Sequence, residues 1–202
     1  MSKKNNILTI IYHFIFAVSS SVVVTLVASW PLLFVFVLVQ KTNKTVNLSV
    51  SQVMHNYNQL LWYLTWPFKD KLKMQNLPTS RMAAQHFADV KKLFVLAIVA
   101  FICCIVIYFW SKHHNKKILR LDKIWALLFL LMPVVVLPFA LANFDNFFIT
   151  FHHLFFAGSN TWLFDPATDP IINVLTEGFF ASCFAIAGIS YELYFANKLL
   201  QR

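Results

Sequence analysis

The sequence has little of what a soluble domain needs. Charged residues make up only 12% of its 202 residues, and only 3 residues are glycine. Hydrophobic residues make up 59%, with 22 phenylalanines among them. That is more apolar surface than a soluble domain of this length can bury. The composition therefore excludes an ordinary soluble protein and indicates an integral membrane protein.

The sequence also lacks the short motifs of several enzyme and metal-protein classes. Its three cysteines, Cys103, Cys104 and Cys183, have no C-x-x-C spacing, so neither a disulfide framework nor a zinc ribbon is indicated. H-E-x-x-H, G-x-S-x-G and glycine-rich phosphate loops are missing. The net charge of +9 is not arranged with interleaved aromatic residues as in a nucleic-acid surface, and we expect no nucleic-acid partner. The positive charge instead indicates how the chain is oriented in the membrane, and it attracts anionic lipid.

Four apolar runs are long enough to cross a hydrocarbon core of about 30 Å. The first run continues from residue 7 to residue 39, but Trp30-Pro31 interrupts it, so we predict a helix that ends or kinks near Trp30. Its length also exceeds the apolar part of a cleaved signal peptide, which indicates an uncleaved first helix. The predicted spans are about 7–30, 93–110, 124–141 and 179–195.

The distribution of lysine and arginine predicts the orientation of these spans. The loop 111–123 contains five such residues, and the loop 143–178 contains none. Short basic loops stay in the cytoplasm. The loop 40–92 contains eight, but the rule weakens for long loops. We therefore predict cytoplasmic termini, a cytoplasmic loop 111–123, and extracytoplasmic loops at about 40–92 and 143–178.

The loop 40–92 is predicted to form a small extracytoplasmic cap. Alternating residues around Val46, Leu48 and Val50 suggest a short strand. An amphipathic helix should follow, with Ser49 or Ser51 as its N-cap and Pro67 as its stop, lying on the membrane surface. The fold expected is all-α: one integral membrane domain over 1–202 with four transmembrane helices and this cap.

Histidine and carboxylate side chains recur in both outer loops. In the segment that begins at Ser80, His86 and Asp89 have i, i+3 spacing, which places them on one helical face. A carboxylate there can orient an imidazole and raise its basicity, although the same spacing also suits an ordinary surface pair.

The second cluster lies in the sequence TFHHLFFAGSNTWLFDPATDP, residues 150–170. His152 and His153 stand among phenylalanines, where ionisable groups are costly enough to indicate function. Asp165 and Asp169 each precede a proline, so turn formation is as good an explanation as chemistry. Two schemes fit: a metal site built from His86, one of the pair and an aspartate, or metal-free acid/base chemistry on a lipid-linked substrate. The absence of a nucleophile motif favours direct transfer between two groups of one substrate.

Several short blocks resemble the bacterial Lit family, the lipoprotein intramolecular transacylases. They are NYNQLLWYL at 56–64, HFADV at 86–90, FHHLFF at 151–156 and NTWLFDPATDPIINVL at 160–175. The resemblance runs through most of the chain. Thr176 departs from it, because relatives are expected to have proline before the glutamate, and this concerns the start of the last helix more than the chemistry.

The resemblance implies a membrane acyltransferase of Gram-positive bacteria that acts on diacylated lipoproteins. It would move the sn-2 acyl chain of the diacylglyceryl group to the α-amine of the N-terminal cysteine, forming a lyso-form lipoprotein. The family's two key histidines correspond to His86 and His152, whereas His153 occupies a variable position of its motif. Our hypothesis makes His152 the general base and His86, oriented by Asp89, its partner; the opposite assignment stays open.

We expect no cofactor and no bound metal, a monomer, and an active site that faces outside. The alternatives are a non-enzymatic protein that binds lipid or lipoprotein, and a metal-dependent membrane hydrolase. The candidate support or positioning residues are Asp89, Tyr57, Asn56, Trp162, Asp165 and Asp169.

Overall fold

The computed structural model describes residues 7–114 and 120–200, and these residues form seven α-helices without a strand. Four of the helices, α1, α4, α5 and α7, are long and apolar enough to cross a membrane. The prediction of an all-α membrane fold with four such helices is confirmed. The α-helices are α1 (Ile7–Gln40), α2 (Thr42–Thr45), α3 (Val50–Thr65), α4 (Arg81–His113), α5 (Lys123–Ala142), α6 (Phe144–Phe155) and α7 (Glu177–Leu200), with a 3-10 helix at Pro170–Asn173.

The described residues form two compact units. The first unit takes its described residues from 7–27, 96–114, 120–143 and 184–200. Its core includes Ile10, Ala126 and Phe195. One histidine, His13, is buried in this unit, and its Nδ1 atom is hydrogen-bonded to the Tyr194 hydroxyl at 2.5 Å.

The second unit consists of residues 28–95 and 144–183. Leu33 and Val37 of α1, Leu60 of α3 and Phe87 of α4 are buried in its core, together with Ile171 of the 3-10 helix. This unit contains every candidate site residue named above. Its core is built from segments that are distant in sequence, and it includes Ala83 and Phe87 of α4, the helix that carries His86.

Helix α3 begins and ends close to the predicted positions. Ser49 is its N-cap and forms a capping box with Gln52: the Gln52 backbone N–H donates to Ser49 Oγ, and the Ser49 N–H donates to Gln52 Oε1. The helix ends at Thr65, two residues before Pro67. Local sequence signals were sufficient here because both caps are formed by neighbouring residues.

The strand predicted around Val46 to Val50 is wrong. Residues 42–45 form the short helix α2, and Asn47 turns the backbone at a φ of 53°. The Asn43 side chain donates to the Leu48 carbonyl at 3.0 Å, and the Leu48 N–H donates to the Asn43 carbonyl at 2.9 Å. These local bonds compete with an extended backbone, so Val46 and Leu48 pack against the core from a turn.

Helix α1 does not end at Trp30, which was one of the two outcomes predicted there; a kink at this point stays a prediction. It continues through Pro31 to Gln40. A proline inside a helix removes one backbone hydrogen bond. The residues after it compensate, because Leu33 and Val37 are completely buried. Tertiary packing overrides the local breaker signal at this position.

Candidate active site

His86 lies in the second turn of α4 and is surrounded by aromatic rings. Only 7% of its surface is exposed. The ring of Phe156 lies 4.8 Å from its ring and that of Phe164 5.6 Å away, both edge to face. Its Nδ1 atom is buried and has no hydrogen-bond partner. An unpaired buried polar atom costs free energy, so this atom is a candidate for contact with a substrate.

His152 faces His86 from α6. The two ring centroids are 5.5 Å apart, and His152 is also 7% exposed. The Nδ1 atom of His152 lies 2.7 Å from the Phe148 carbonyl oxygen. Because a carbonyl oxygen only accepts, Nδ1 must carry the hydrogen, and Nε2 of the neutral ring then holds the free lone pair. This arrangement selects the tautomer that can accept a proton at Nε2.

The surroundings of His152 keep its imidazole neutral. Burial is the main cause that lowers its pKa below the ordinary value of 6.5, and His153 lowers it further. The hydrogen bond to the Phe148 carbonyl acts in the opposite direction. Desolvation disfavours the charged form, so His152 is unprotonated and able to act as a base at neutral pH.

The indole ring of Trp162 packs against the imidazole ring of His152. The centroids of the two rings are 4.8 Å apart, and the indole N–H donates to the Ser159 carbonyl at 3.1 Å. Gly158 has a φ of 79° just before this segment, a conformation that L side chains rarely adopt. The turn therefore brings the indole back over the helix that carries His152. The prediction that Trp162 positions a group at the site stays a prediction, with this contact in its favour.

The two aspartates of the loop 156–176 form different contacts. Asp165 Oδ1 accepts the Ala167 N–H at 2.9 Å, which is an Asx-type turn. Asp169 is buried, and its Oδ1 accepts the Ser80 N–H at 2.6 Å, across 89 positions of sequence. Ser80 in turn caps α4, because its Oγ accepts the Ala83 N–H. Asp169 thus holds the start of the helix that carries His86.

Asp89 has no hydrogen bond to His86, so its role in orienting that imidazole stays a prediction. Its carboxylate accepts from Lys92 Nζ at 2.8 Å and from the Gln85 side chain at 3.4 Å. The Lys92 contact lowers the pKa of Asp89. The i, i+3 spacing does place both residues near one another, but His86 turns into the aromatic core while Asp89 pairs with an exposed lysine.

Asn56 and Tyr57 have structural contacts in this unit. The Asn56 side chain donates to Asn76 Oδ1 at 3.1 Å and accepts the Asn76 N–H at 2.9 Å, which ties α3 to the segment before α4. The Tyr57 hydroxyl donates to Ser29 Oγ at 2.7 Å. Burial raises the pKa of this phenol. Neither side chain is hydrogen-bonded to His86 or His152, so any role in positioning substrate stays a prediction.

Sequence reasoning missed two features of the site. Helix α6 was not predicted, although phenylalanines recur in it at i, i+3 and i+4 spacing, which is the helical signal. The ring cage around His86, with Phe156 and Phe164, had no local signal. The structure also distinguishes the two adjacent histidines: His152 is buried, whereas His153 is exposed.

The described residues hold no group of three or more His, Cys, Asp or Glu side chains that is arranged to bind a metal ion. The site as described is a pair of imidazoles inside a wall of aromatic rings. Such a pair is suited to accepting and donating protons on a substrate that is mostly apolar.

The chain was compared with family models, with curated proteins and with solved structures. The family described as "Lipoprotein intramolecular transacylase Lit" matches residues 7–180. No curated protein matches the chain. The membrane integral lipoprotein intramolecular transacylase Lit from Bacillus cereus has a similar solved structure, with a TM-score of 0.77, 23% identity, and coverage of 94% of this chain and 90% of that one.

Two variants of the same Bacillus cereus protein, in which one histidine is replaced by arginine or by alanine, are also similar in structure. Their TM-scores are 0.70 and 0.69, with 21% and 22% identity. Each alignment covers 94% of this chain, and it covers 86% and 88% of the respective relative.

Proposed function

Because the chain belongs to the Lit family of lipoprotein intramolecular transacylases, we propose that His86 and His152 together carry out its acyl transfer. The protein is a membrane-integral acyltransferase whose substrate is a lipoprotein. The observation that supports the assignment is the facing pair of buried imidazoles, with ring centroids 5.5 Å apart. No other two histidines in the second unit have this arrangement among the described residues.

The reaction proposed has four changes that balance. The α-amine of the N-terminal cysteine attacks the carbonyl carbon of the sn-2 ester, and a C–N bond forms. The C–O bond of the ester breaks, and the glycerol oxygen leaves. The amine loses a proton to a base, and the leaving oxygen gains one, so the lyso-form lipoprotein is an isomer of the substrate. Amine and ester belong to one molecule, so holding them together supplies much of the rate.

His152 is the general base in this proposal. Its Nδ1–H donates to the Phe148 carbonyl, which leaves Nε2 able to accept the proton of the attacking amine. An α-amine has an ordinary pKa of about 7.7 to 8.0. Transfer from the nitrogen becomes favourable as the C–N bond forms, because the amine nitrogen gains positive charge at that stage.

His86 is the proton donor in the same scheme. Its Nδ1 atom is buried and unpartnered, and it faces no acceptor of the protein itself. A donor at this position stabilises negative charge that develops on the ester carbonyl oxygen, and then protonates the leaving glycerol oxygen. The aromatic rings around it exclude water, which strengthens that interaction.

We also place the site at the outer face of the membrane, with both termini in the cytoplasm. The support is the contrast between the basic loop 111–123 and the loop 143–178, which has no lysine or arginine. A single chain holds both histidines, so a monomer is sufficient for the reaction.

The test is mass spectrometry of a synthetic diacylated lipopeptide after incubation with the purified protein. The total mass should stay the same while one acyl chain moves to the amine, which tandem fragmentation detects as an N-terminal fragment that carries the acyl group. A released fatty acid would instead indicate a hydrolase, and an unchanged lipopeptide would indicate a binding protein. Turnover should persist after treatment with a chelator, and its loss with recovery on adding a metal would contradict a metal-free mechanism.

A further inference from the structure

We infer that the second unit carries a binding site for the headgroup of an anionic phospholipid, formed by α3 and the segment 66–75. The site is a cleft of about 520 Å³. Its lining includes Lys69, Lys73, Trp62, Asn58, Gln59 and Gln75. The histidine pair is not part of it, so the inference does not depend on the acyl transfer.

The cleft is held in place by contacts at several points. The Gln75 N–H donates to Gln59 Oε1 at 2.8 Å, which joins the segment to α3. Lys91 Nζ donates to the Lys69 carbonyl, and its ammonium group lies 4.7 Å from the centre of the Tyr63 ring. The backbone of Lys69 is therefore fixed on α4, and the side chain of Met74, within the segment, is buried. A headgroup would meet a shaped surface here instead of a free loop.

The charge of the cleft suits a phosphate diester. Lys69 and Lys73 are both exposed, and neither takes part in an ion pair within residues 7–114 and 120–200. The Asn58 amide supplies a further donor to the lining through its NH₂ group, because its Oδ1 accepts from the Trp30 indole N–H at 2.8 Å. A lysine near the surface of an anionic membrane contributes about 1 kcal/mol of attraction. Two such ammonium groups in one cleft favour an anionic over a zwitterionic headgroup.

The aromatic residues beside the cleft identify the source of the phosphate as a lipid. Trp62 and Trp66 are stacked with centroids 5.1 Å apart, and Phe68 contacts Trp66 edge to face. Phe68 is 80% exposed, and both tryptophans are about half exposed. Tryptophan prefers the interface between headgroups and acyl chains. A soluble phosphate or an acidic peptide would leave these rings in water, whereas a membrane lipid covers them.

The test is native mass spectrometry of the full chain in detergent with phosphatidylglycerol and, in parallel, phosphatidylcholine with the same acyl chains. Phosphatidylglycerol should bind more tightly. The double variant Lys69→Gln/Lys73→Gln should weaken its binding about 25-fold, at about fivefold for each lysine. The matched control Lys41→Gln/Lys44→Gln removes the same charge from exposed residues outside the cleft and should change binding less than about threefold.

Three results would overturn the inference. They are equal binding of the two lipids, an unchanged affinity of the Lys69→Gln/Lys73→Gln variant, and displacement of the lipid by free glycerol 3-phosphate or by an acidic peptide at comparable concentration. The variant should still convert the diacylated lipopeptide in detergent, because both lysines lie outside the histidine pair. Its acyl-transfer activity therefore separates a failure of this site from a failure of the proposed function.

Discussion

The two compact units both bury histidine, but they use it differently. In the first unit His13 is 1% exposed, and its Nδ1 atom is hydrogen-bonded to the Tyr194 hydroxyl. In the second unit His86 and His152 face one another, and His86 Nδ1 has no partner. Burial of an imidazole is thus not the mark of the site. What distinguishes the second unit is a pair of buried histidines whose rings face each other, one of them with an unpartnered Nδ1 atom.

The largest effect should come from removing either histidine of the pair. His86→Ala and His152→Ala should each lower acyl transfer by about 10²- to 10⁴-fold, because each removes a proton-transfer group. The rate is measured by mass spectrometry of the lipopeptide, and folding is checked by thermal unfolding in detergent. His153→Ala is the matched control, since this neighbour is exposed and should keep nearly full activity. Full activity in either of the first two variants would refute the proposal.

A smaller effect is expected at Asp169, which supports the second unit's site without contacting it. Asp169→Ala leaves the partly buried Ser80 N–H without its acceptor, which should cost about 1 to 3 kcal/mol of stability and loosen the start of α4. We expect about a tenfold loss of kcat from the displaced His86. Asp169→Asn keeps an oxygen acceptor and should stay within about threefold. Equal losses in the two variants would show that the negative charge, not the helix contact, is what matters.

His13 provides the converse test in the first unit. His13→Phe should reduce the free energy of unfolding by about 1 to 3 kcal/mol, because the Tyr194 hydroxyl loses its partner. The folded protein should keep its rate of acyl transfer. Adding Tyr194→Phe removes the unpaired hydroxyl and should recover part of the stability. If His13→Phe abolished transfer while the protein stayed folded, the contrast between the two units would fail.

The pH dependence tests the neutral state of His152. Burial lowers the pKa of this imidazole from its ordinary 6.5, so the base stays unprotonated to lower pH than a solvated histidine would. Its midpoint, measured by hydrogen exchange at the ring C2 position, should therefore lie below 6.5, and the acid limb of kcat should follow it. Trp162→Ala exposes the ring and should move the midpoint back towards 6.5. A wild-type midpoint above 6.5 would contradict the role of burial.

The smallest effect is expected at Asp89. Its contact with Lys92 lies at the surface, where ion pairs contribute about 0 to 1 kcal/mol. Asp89→Asn should therefore change kcat less than about threefold and stability by less than about 1 kcal/mol. A loss of kcat comparable to that of His86→Ala, without unfolding, would instead show that the Asp89 carboxylate acts together with His86.

In the second unit, the features that depend on residues close together in sequence were predictable. The cap of α3 at Ser49 and the cap of α4 at Ser80 follow from residues three positions apart. Short blocks of sequence singled out His86 and His152, whose rings the structure brings within 5.5 Å; their role in catalysis stays a prediction. The predicted strand at Val46 to Val50 was wrong, because hydrogen bonds between Asn43 and Leu48 bend the backbone there. Helix α1 also continues past Trp30, where packing carries it through a proline.

The amino-acid sequence by itself determined the membrane class, the four long apolar helices and the family. The first two follow from the length of the apolar runs, and the family follows from short blocks of adjacent residues. Only the tertiary structure decided which atoms meet. Asp169 reached Ser80 across 89 positions, and His152 came to face His86 from another helix. The physical reason is that a buried polar group takes the best partner available in space. Packing of distant segments, rather than spacing along one helix, sets which partner that is.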